Sequence, residues 1–220
     1  MPEPARAVVA CFDLDGTLTD GGSVFRWLGR VAGAGPTYRA TLELALPLTL
    51  GALRSGPAAD SAKERLFLRL LAGRDAHEVA ATSRAFIVEH LERHARAEVV
   101  ARLRWHQRQG HATVIVSASP ELYVTVVAER LGVDGAIGTR LATDAGGRLT
   151  GHYEGRNCRG EEKARRLEEW LASRGDDPLL YAYGNSRGDR RLLERADLPF
   201  NVGRLGRWGR LSGYPRPPGV

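Results

Sequence analysis

The sequence predicts an α/β protein built on a doubly wound parallel sheet, with an all-helical segment inserted after the first strand. Three observations predict this fold. Short apolar runs alternate with amphipathic helical patterns, which is typical of parallel strands joined by right-handed crossovers. Residues 22–104 show helical periodicity and no strand pattern. The length of 220 residues suits one such domain with an insertion.

The composition favours a globular protein and excludes several classes. Apolar residues make up 43% of the chain and charged residues 26%. The net charge is +6, and thirty of the 32 basic residues are arginine, Lys63 and Lys163 being the exceptions. The arginines are interspersed with acidic residues and accompany no aromatic-basic motif, so we expect no nucleic-acid partner. The excess charge can still steer anionic substrates.

Two further features bear on location. The N-terminus lacks a basic segment followed by a long apolar stretch, so no signal peptide is expected. The two cysteines, Cys11 and Cys158, do not make a disulfide framework, and a reducing cytoplasm is the expected compartment. Residues 42–53 contain the run Leu44–Leu50, which is too short to span a bilayer and adjoins Glu43, so we predict a buried helix there and no membrane association.

The first element is a strand, followed by the helical insertion. Residues 7–12 are continuously apolar, which predicts a buried strand in which Cys11 is a small core residue. Residues 33–36 and 54–57 contain glycine and proline and predict breaks between helices. The predicted domain division is therefore 1–20 and 105–220 for the sheet domain, and 21–104 for the insertion.

The remaining elements follow in the second half of the chain. A strand is predicted at 112–117, and then a helix with Ser119 as N-cap, Pro120 at its first position and its end near Gly132. Further on, the patterns predict a hairpin turning near Gly146-Gly147, a helix at 160–173, a strand at 179–183, a helix after Ser186 and a last strand at 200–202. Residues 204–220 are rich in Arg, Gly and Pro and are expected to be loosely ordered.

The first strand ends in a motif that can carry chemistry. Asp13-Leu14-Asp15-Gly16-Thr17 places two carboxylates, one residue apart, at the carboxyl end of a strand, where open α/β sheets position reactive groups. One carboxylate can attack phosphorus and the other can transfer protons, while a metal ion screens their repulsion. Asp-Gly is also a common turn sequence, so this motif needs support from the rest of the chain.

Three further segments supply that support: Val114–Ser119, Gly155–Lys163 and Tyr183–Asp189. Taken in this order with Phe12–Leu18, and with a helical insertion after the first, they resemble the haloacid dehalogenase superfamily, subfamily IB, the phosphoserine-phosphatase-like enzymes. The resemblance implies a Rossmann-like core with a helical cap over the site. It implies a magnesium-dependent phosphatase that hydrolyses a small-molecule phosphomonoester through an aspartyl-phosphate.

The expected catalytic roles can be argued from the chemistry as well. Asp13 is the expected nucleophile, and Asp15 is expected to protonate the leaving oxygen and then activate water. The resemblance assigns the same roles, and because dehalogenases lack the second acid, Asp15 favours a phosphatase. Ser117 is expected to donate a hydrogen bond to the phosphoryl group, its alternative being a local cap. Lys163 is expected to offer a positive charge; alternatively it is a solvated lysine at a helix start, where a cation needs a nearby anion.

The resemblance also implies the ligands of the metal and the phosphate. Magnesium would be bound by the Asp13 carboxylate, the Asp15 main-chain carbonyl and the side chain of Asn185, where the family usually has aspartate. An amide carries no charge, so weaker magnesium binding is expected. Asp189 is expected to bind the metal directly or through water, or to form a capping box with Ser186. The residues expected around the substrate phosphate are Gly16, Thr17, Ser117 and Ala118.

The substrate itself is not indicated by the sequence. In phosphoserine phosphatases an acidic residue soon after the first motif contacts the substrate amine; here residues 20–25 offer Asp20 but no glutamate at the expected place. Phe25, Trp27 and Tyr38 are expected in the core of the insertion, with a pocket lining as the alternative. A phosphotransferase, a phosphatidylglycerophosphate-type phosphatase and a non-catalytic binding protein are the other functions considered, and no oligomeric state is indicated.

Overall fold

The computed structural model describes residues 6–44, 57–174, 177–204 and 211–219. Its centre is a five-stranded sheet in the order β3-β2-β1-β6-β7, in which every pair is parallel. The strands are β1 (Val8–Phe12), β2 (Ala112–Pro120), β3 (Gly135–Thr139), β6 (Leu179–Gly184) and β7 (Leu198–Asn201). Helices flank the sheet, which confirms the predicted α/β fold class. Because β1 is the middle strand, the residues that follow it emerge at the centre of the sheet's carboxyl edge.

Five helices lie between β1 and β2 in the described part of the chain: α1 (Ser23–Ala32), α2 (Ala34–Glu43), α3 (Pro57–Leu71), α4 (Ala76–His94) and α5 (Ala97–Arg108). The predicted helix at 42–53 lies almost wholly outside the described residues, because the described range 6–44 ends at its third residue. None of the described helices has the length and apolar content needed to cross a membrane.

The last of these helices, α5, packs on the sheet itself. Its residues Val99, Leu103 and His106 are buried, and the His106 ring stands edge-on to the rings of Phe12 on β1 and Tyr183 on β6. Helices α1 to α4 pack mainly against one another and against two later elements, which are α6 and the strand Leu149–Tyr153. Helix α1 also touches β2. The predicted division at residues 104 and 105 therefore falls inside a helix that covers the sheet, and the domain division stays a prediction.

Alternate residues of β1 enter two cores on opposite faces of the sheet, as the two-residue period of a strand requires. Ala10 and Phe12 join Trp27, Phe67 and Tyr123 on the face that meets the insertion. On the other face, a second cluster contains Val9, Cys11, Val114, Leu167 and Leu180. Cys11 is fully buried, which confirms its expected role as a small core residue.

After β2 come α6 (Glu121–Leu131), β3 and the predicted hairpin, formed by β4 (Leu141–Thr143) and β5 (Leu149–Tyr153). The hairpin packs on α3. Gly151 has a φ of +85°, and a Cβ there would lie 2.4 Å from the Cα of Leu68, so only glycine allows this approach. The Tyr153 N–H also donates to Glu64 Oε1 at 3.2 Å. A two-stranded extension of the sheet domain thus supports the insertion from outside.

The chain continues with α7 (Glu161–Ser173), a 3₁₀ turn (Arg187–Asp189), α8 (Arg190–Arg195) and β7. Two expectations need correction. Helix α6 begins at Glu121 with Pro120 at the cap position, because β2 runs to Pro120; Ser119 is therefore not an N-cap. The described part of residues 204–220 is packed rather than loose, since Leu211 is buried and the Asn201 N–H donates to Pro215 O at 2.8 Å.

Candidate active site

The four predicted segments meet at the carboxyl edge of the sheet, around a cavity of about 420 Å³. The sheet domain contributes Asp13, Asp15, Ser117, Ala118, Ser119, Lys163, Ser186, Gly188 and Asp189. The insertion contributes Val24, Phe25, Asp60, Lys63 and Leu66, and the loop after β5 contributes Asn157 and Arg159. The cavity therefore lies between the sheet domain and the insertion, with carboxylates and lysines at its base.

Lys163 joins two of the carboxylates. Its Nζ lies 2.7 Å from Asp13 Oδ1 and 2.5 Å from Asp189 Oδ1, and its side chain is 2% exposed. Burial alone would lower the lysine pKa, but the charges of Asp13 and Asp189 outweigh it and raise that pKa above its usual range. The two carboxylates therefore supply the anion that a lysine in the first turn of α7 needs.

The same cluster shifts the pKa values of Asp13 and Asp189 in opposite directions. Burial, and then the charge of Asp189, raises the pKa of Asp13 to about 7, against the attraction of Lys163. For Asp189 the attraction of Lys163, together with donated N–H groups, outweighs burial and lowers the pKa. One lysine thus serves two buried carboxylates, and a further cation next to Asp13 would favour its ionised form.

Asp15 is oriented by groups that the sequence analysis did not identify. Ser23, the first residue of α1, donates to it twice, from N–H to Oδ1 at 3.0 Å and from Oγ to Oδ2 at 2.5 Å. Ser119 Oγ donates to Oδ2 at 2.6 Å. Tyr123 OH lies 2.9 Å from Ser23 Oγ. No sequence pattern indicated these contacts, because the residues that meet at Asp15 are distant in sequence: Ser23 begins α1, and Ser119 lies near the end of β2.

Asn185, the first residue after β6, lies beside the same carboxylates. In one orientation of its amide, Thr17 Oγ1 donates to Oδ1 at 3.2 Å. In the opposite orientation, Nδ2 is 3.1 Å from Asp13 Oδ2 and 3.2 Å from the Asp15 main-chain oxygen. Gly16 makes this approach possible, since a Cβ there would lie 2.1 Å from Nδ2 and its φ is +85°.

These oxygens fit a magnesium ion. The Asp13 carboxylate, the Asp15 carbonyl and the amide end of Asn185 converge on one point, and such hard oxygen ligands are those that Mg²⁺ prefers. The described residues contain no group of three or more His, Cys, Asp or Glu side chains suited to a metal. This agrees with the geometry at Asn185, because here one ligand would be a main-chain oxygen and another an amide.

Both carboxylate oxygens of Asp189 accept hydrogen bonds from neighbouring residues. Its Oδ2 accepts from the Asn185 N–H at 3.1 Å and from the N–H and Oγ of Ser186, each at 2.9 Å. Ser186 in turn caps the 3₁₀ turn, so the predicted capping box is present. Since Oδ1 binds Lys163, direct metal binding by Asp189 would compete with that ion pair. These contacts favour a role for Asp189 in positioning Lys163 over a role as a metal ligand.

The expected phosphate-binding residues lie in two groups. Ser117 and Ala118 line the cavity at the end of β2, and Ser117 Oγ accepts from the Ser119 N–H at 3.1 Å, so it also has the local capping contact. Gly16 and Thr17 are not among the residues that line the cavity and lie next to Asn185. Gly16 O accepts from the buried guanidinium of Arg96 at 2.7 Å, which fixes this loop.

Of the three aromatic residues expected in the core of the insertion, only one is buried there. Trp27 is fully buried in the core, as expected. Phe25 instead lines the cavity, and Tyr38 is 67% exposed. Asp20 does not line the cavity; its Oδ2 lies 3.0 Å from His94 Nδ1. Among the residues missed at the cavity, Asp60, Lys63 and Leu66 lie on α3, whose place over the site no local pattern revealed.

The site thus contains an aspartate pair after the central strand of the sheet, with a lysine and an amide beside it. The family model described as haloacid dehalogenase-like hydrolase matches residues 10–194. The chain therefore belongs to the haloacid dehalogenase-like hydrolase family, which confirms the resemblance found in its four motifs.

Two relatives cover most of the chain. Protein CicA of Caulobacter vibrioides is 34% identical over 195 residues, which are 86% of this chain and 83% of that protein. A histidinol-phosphatase of Neisseria meningitidis is 30% identical over 198 residues, covering 88% of this chain and 89% of that protein.

Solved structures agree with this assignment. A Bordetella pertussis protein of unknown function superposes with a TM-score of 0.76 at 27% identity, over 90% of each chain. A phosphoserine phosphatase solved as a phospho-aspartyl intermediate analogue gives a TM-score of 0.64 at 22% identity, over 89% of this chain and 86% of that chain. At 22% identity, the similarity to the phosphoserine phosphatase is evidence for a shared fold alone.

Proposed function

We propose that the protein is a magnesium-dependent phosphatase that hydrolyses a small-molecule phosphomonoester through an aspartyl-phosphate on Asp13. The observation that carries this proposal is the contact between Asp13 and Lys163, at 2.7 Å, at the base of a cavity large enough for a small ligand. Family membership supports it, as does the similarity to a protein named histidinol-phosphatase.

In the first step, a carboxylate oxygen of Asp13 attacks phosphorus while the bond to the leaving oxygen breaks. Asp15 gives a proton to that oxygen, so the product leaves as an alcohol. The two serines that hold Asp15 keep its carboxyl group turned toward the cavity. Lys163 neutralises charge that the phosphoryl group brings to Asp13.

In the second step, Asp15, now ionised, takes a proton from water. The resulting hydroxide attacks phosphorus, the acyl–phosphate bond to Asp13 breaks, and inorganic phosphate is released. Ser117 lies at the cavity wall, where its hydroxyl can donate to a phosphoryl oxygen. The insertion covers the cavity and limits access of bulk water.

Magnesium would be held by Asp13, the Asp15 carbonyl and Asn185, with Asp189 outside this set. When bound, the ion supplies positive charge that offsets the repulsion between the phosphoryl group and Asp13. Gly16 and Arg96 support this arrangement indirectly, because the first allows Asn185 to approach and the second holds the Gly16 carbonyl.

The substitution Asp13→Asn tests the proposal. It keeps the shape of the side chain and removes the nucleophile, so phosphate release should fall by at least about a thousandfold. We would measure release from phosphoserine, histidinol phosphate, sugar phosphates, nucleotides and a phosphatidylglycerophosphate, with magnesium and with EDTA.

The matched control is Asp177→Asn, whose side chain is 87% exposed and far from the cavity residues. It should release phosphate at the wild-type rate. Turnover that persists in Asp13→Asn would overturn the mechanism. Release that EDTA leaves unchanged would overturn the magnesium requirement.

A further inference from the structure

Lys63 is one of only two lysines in the chain, and both line the same cavity. The other thirty basic residues are arginines. Lys163 belongs to the sheet domain and has a place in the proposed mechanism. Lys63 lies on α3 of the insertion and has none so far.

The ammonium of Lys63 reaches across the cavity to the sheet domain. Its Nζ donates to the main-chain oxygen of Ala118 at 2.6 Å and to Asn157 Oδ1 at 3.2 Å. Ala118 directly follows Ser117, the residue expected to bind the phosphoryl group. Lys63 therefore places a positive charge from the insertion next to the expected phosphate position.

This charge has no carboxylate partner among the described residues, in contrast to Lys163, which has two. The nearest candidate, Asp60, is engaged elsewhere: its Oδ1 accepts from Asn157 Nδ2 at 2.6 Å and lies 3.8 Å from Arg159. Burial lowers the pKa of Lys63 to about 8, against the attraction of Asp60 and Asp15.

A largely desolvated ammonium without an ion pair costs free energy unless an anion completes its environment. Of its three N–H groups, two have described acceptors, which leaves one for a ligand. The rings of Phe67 and Tyr153, at 5.3 Å and 6.0 Å, cover part of the ammonium. The remaining open direction is the cavity that Lys63 lines.

We propose that Lys63 is an anion-binding residue through which the insertion contacts an oxyanion of the substrate. That oxyanion belongs either to the phosphoryl group or to an acid group on the leaving part of the molecule. The inference rests on the proposed function, because it assumes that a phosphate compound enters this cavity. The competing role is purely structural, a link that ties α3 to Ala118 and Asn157.

The decisive variant is Lys63→Gln, which keeps a hydrogen-bond donor for Ala118 and Asn157 but removes the charge. Lys63→Arg keeps the charge, and Lys63→Met removes both. Arg69→Met is the surface control, since Arg69 lies on the same helix with a side chain that is 56% exposed. All variants would be checked for folding by thermal unfolding before binding is measured.

Binding is measured by calorimetry with magnesium, using inorganic phosphate and, in the Asp13→Asn background, ethyl phosphate and 2-phosphoglycolate. The two esters differ only by a methyl group in place of a carboxylate. We expect Lys63→Gln to weaken binding by about tenfold and Lys63→Arg to restore most of it. Weakening of all three ligands would assign the contact to the phosphoryl group. Weakening of phosphoglycolate alone would assign it to the acid group.

Wild-type affinity for all three ligands in Lys63→Gln would overturn the proposal and leave the structural link. If Lys63→Met does not fold, the Gln and Arg variants still decide. Because these measurements need no turnover, they are independent of the Asp13→Asn activity test. Lost binding in Lys63→Gln together with an active Asp13→Asn would overturn the proposed mechanism and keep the anion site.

Discussion

At the scale of single residues, the hydrogen-bond partners of each polar group indicate which groups of the site are left to bind a metal ion. Asp189 has both oxygens occupied, by Lys163 and by Asn185 and Ser186. The amide of Asn185 faces oxygens of Asp13, Asp15 and Thr17. Three oxygen atoms this close to one another repel each other unless a hydrogen-bond donor or a cation lies between them. Asn185 is therefore the residue whose replacement tests the proposed magnesium site most directly.

Replacing Asn185 by aspartate should strengthen magnesium binding. The added negative charge increases the attraction for the ion, so the magnesium concentration giving half-maximal activity should fall by about tenfold. The measurement is a magnesium titration of phosphate release, paired with calorimetric titration of magnesium alone. Asp144→Asn, at the tip of the β4–β5 turn, is the control that should shift neither value. An unchanged midpoint in Asn185→Asp would exclude Asn185 as a direct ligand.

The residues that the sequence identified and those that it missed differ in where they lie. Asp13, Lys163 and Asn185 follow or begin elements of the sheet domain, and parallel topology brings such positions to one edge. Ser23 and Lys63 reach the same cavity only because α1 and α3 dock over that edge. Docking depends on the packing of whole helices, and no local spacing encodes it.

At the scale of elements, the contact between the β4–β5 hairpin and α3 fixes the roof of the cavity. Gly151 lets the two backbones meet, and Glu64 and Tyr153 add a hydrogen bond. Lys63 and Asp60, which face the cavity, lie on this same helix. The hairpin could be predicted from the sequence of its turn. Its packing against α3 could not, because the contact joins segments more than 80 residues apart.

Gly151→Ala should loosen this contact. The new Cβ would meet the Leu68 backbone at 2.4 Å, so the free energy of unfolding should fall by about 2 to 4 kcal/mol. Gly147→Ala is a matched control, because its φ of +75° imposes similar backbone strain while no atom lies within 4 Å of the added Cβ. Urea unfolding of both variants separates the two effects. Equal losses would mean that strain alone matters and that the close contact does not.

At the scale of the whole molecule, α5 connects the insertion to the sheet and buries a histidine against it. His106 Nε2 lies 2.9 Å from Tyr183 OH, and Nδ1 lies 2.8 Å from His111 Nδ1. Burial, then the charges of His111 and Arg102, lowers the pKa of His106 to about 3. The folded protein therefore holds this histidine neutral at pH values where an unfolded chain would protonate it.

This difference predicts acid sensitivity. An unfolded histidine binds a proton below about pH 6.5, while His106 in the folded state does not until about pH 3. The stability that His106 contributes is thus complete above pH 6.5 and is lost as the pH falls toward 3. Between pH 7.5 and 5 the loss should be about 2 kcal/mol.

The measurement is urea unfolding at both pH values for the wild type and His106→Gln. The variant should start less stable at pH 7.5 and lose about 2 kcal/mol less on acidification. The exposed His77→Gln should behave like the wild type. Equal acid losses in the wild type and His106→Gln would contradict the assignment.

The position of β1 has a consequence for synthesis of the protein. Of the five strands of this sheet, β1 is made first and becomes the middle strand, and one of its neighbours, β6, begins at residue 179. At ribosomal rates of about 5 to 20 residues per second, an apolar strand edge waits roughly 10 to 30 seconds for its partner. Asp13 likewise meets Lys163 only after the ribosome has added a further 150 residues. Shielding of residues 8–12 during that interval should therefore govern the yield of active enzyme in cells.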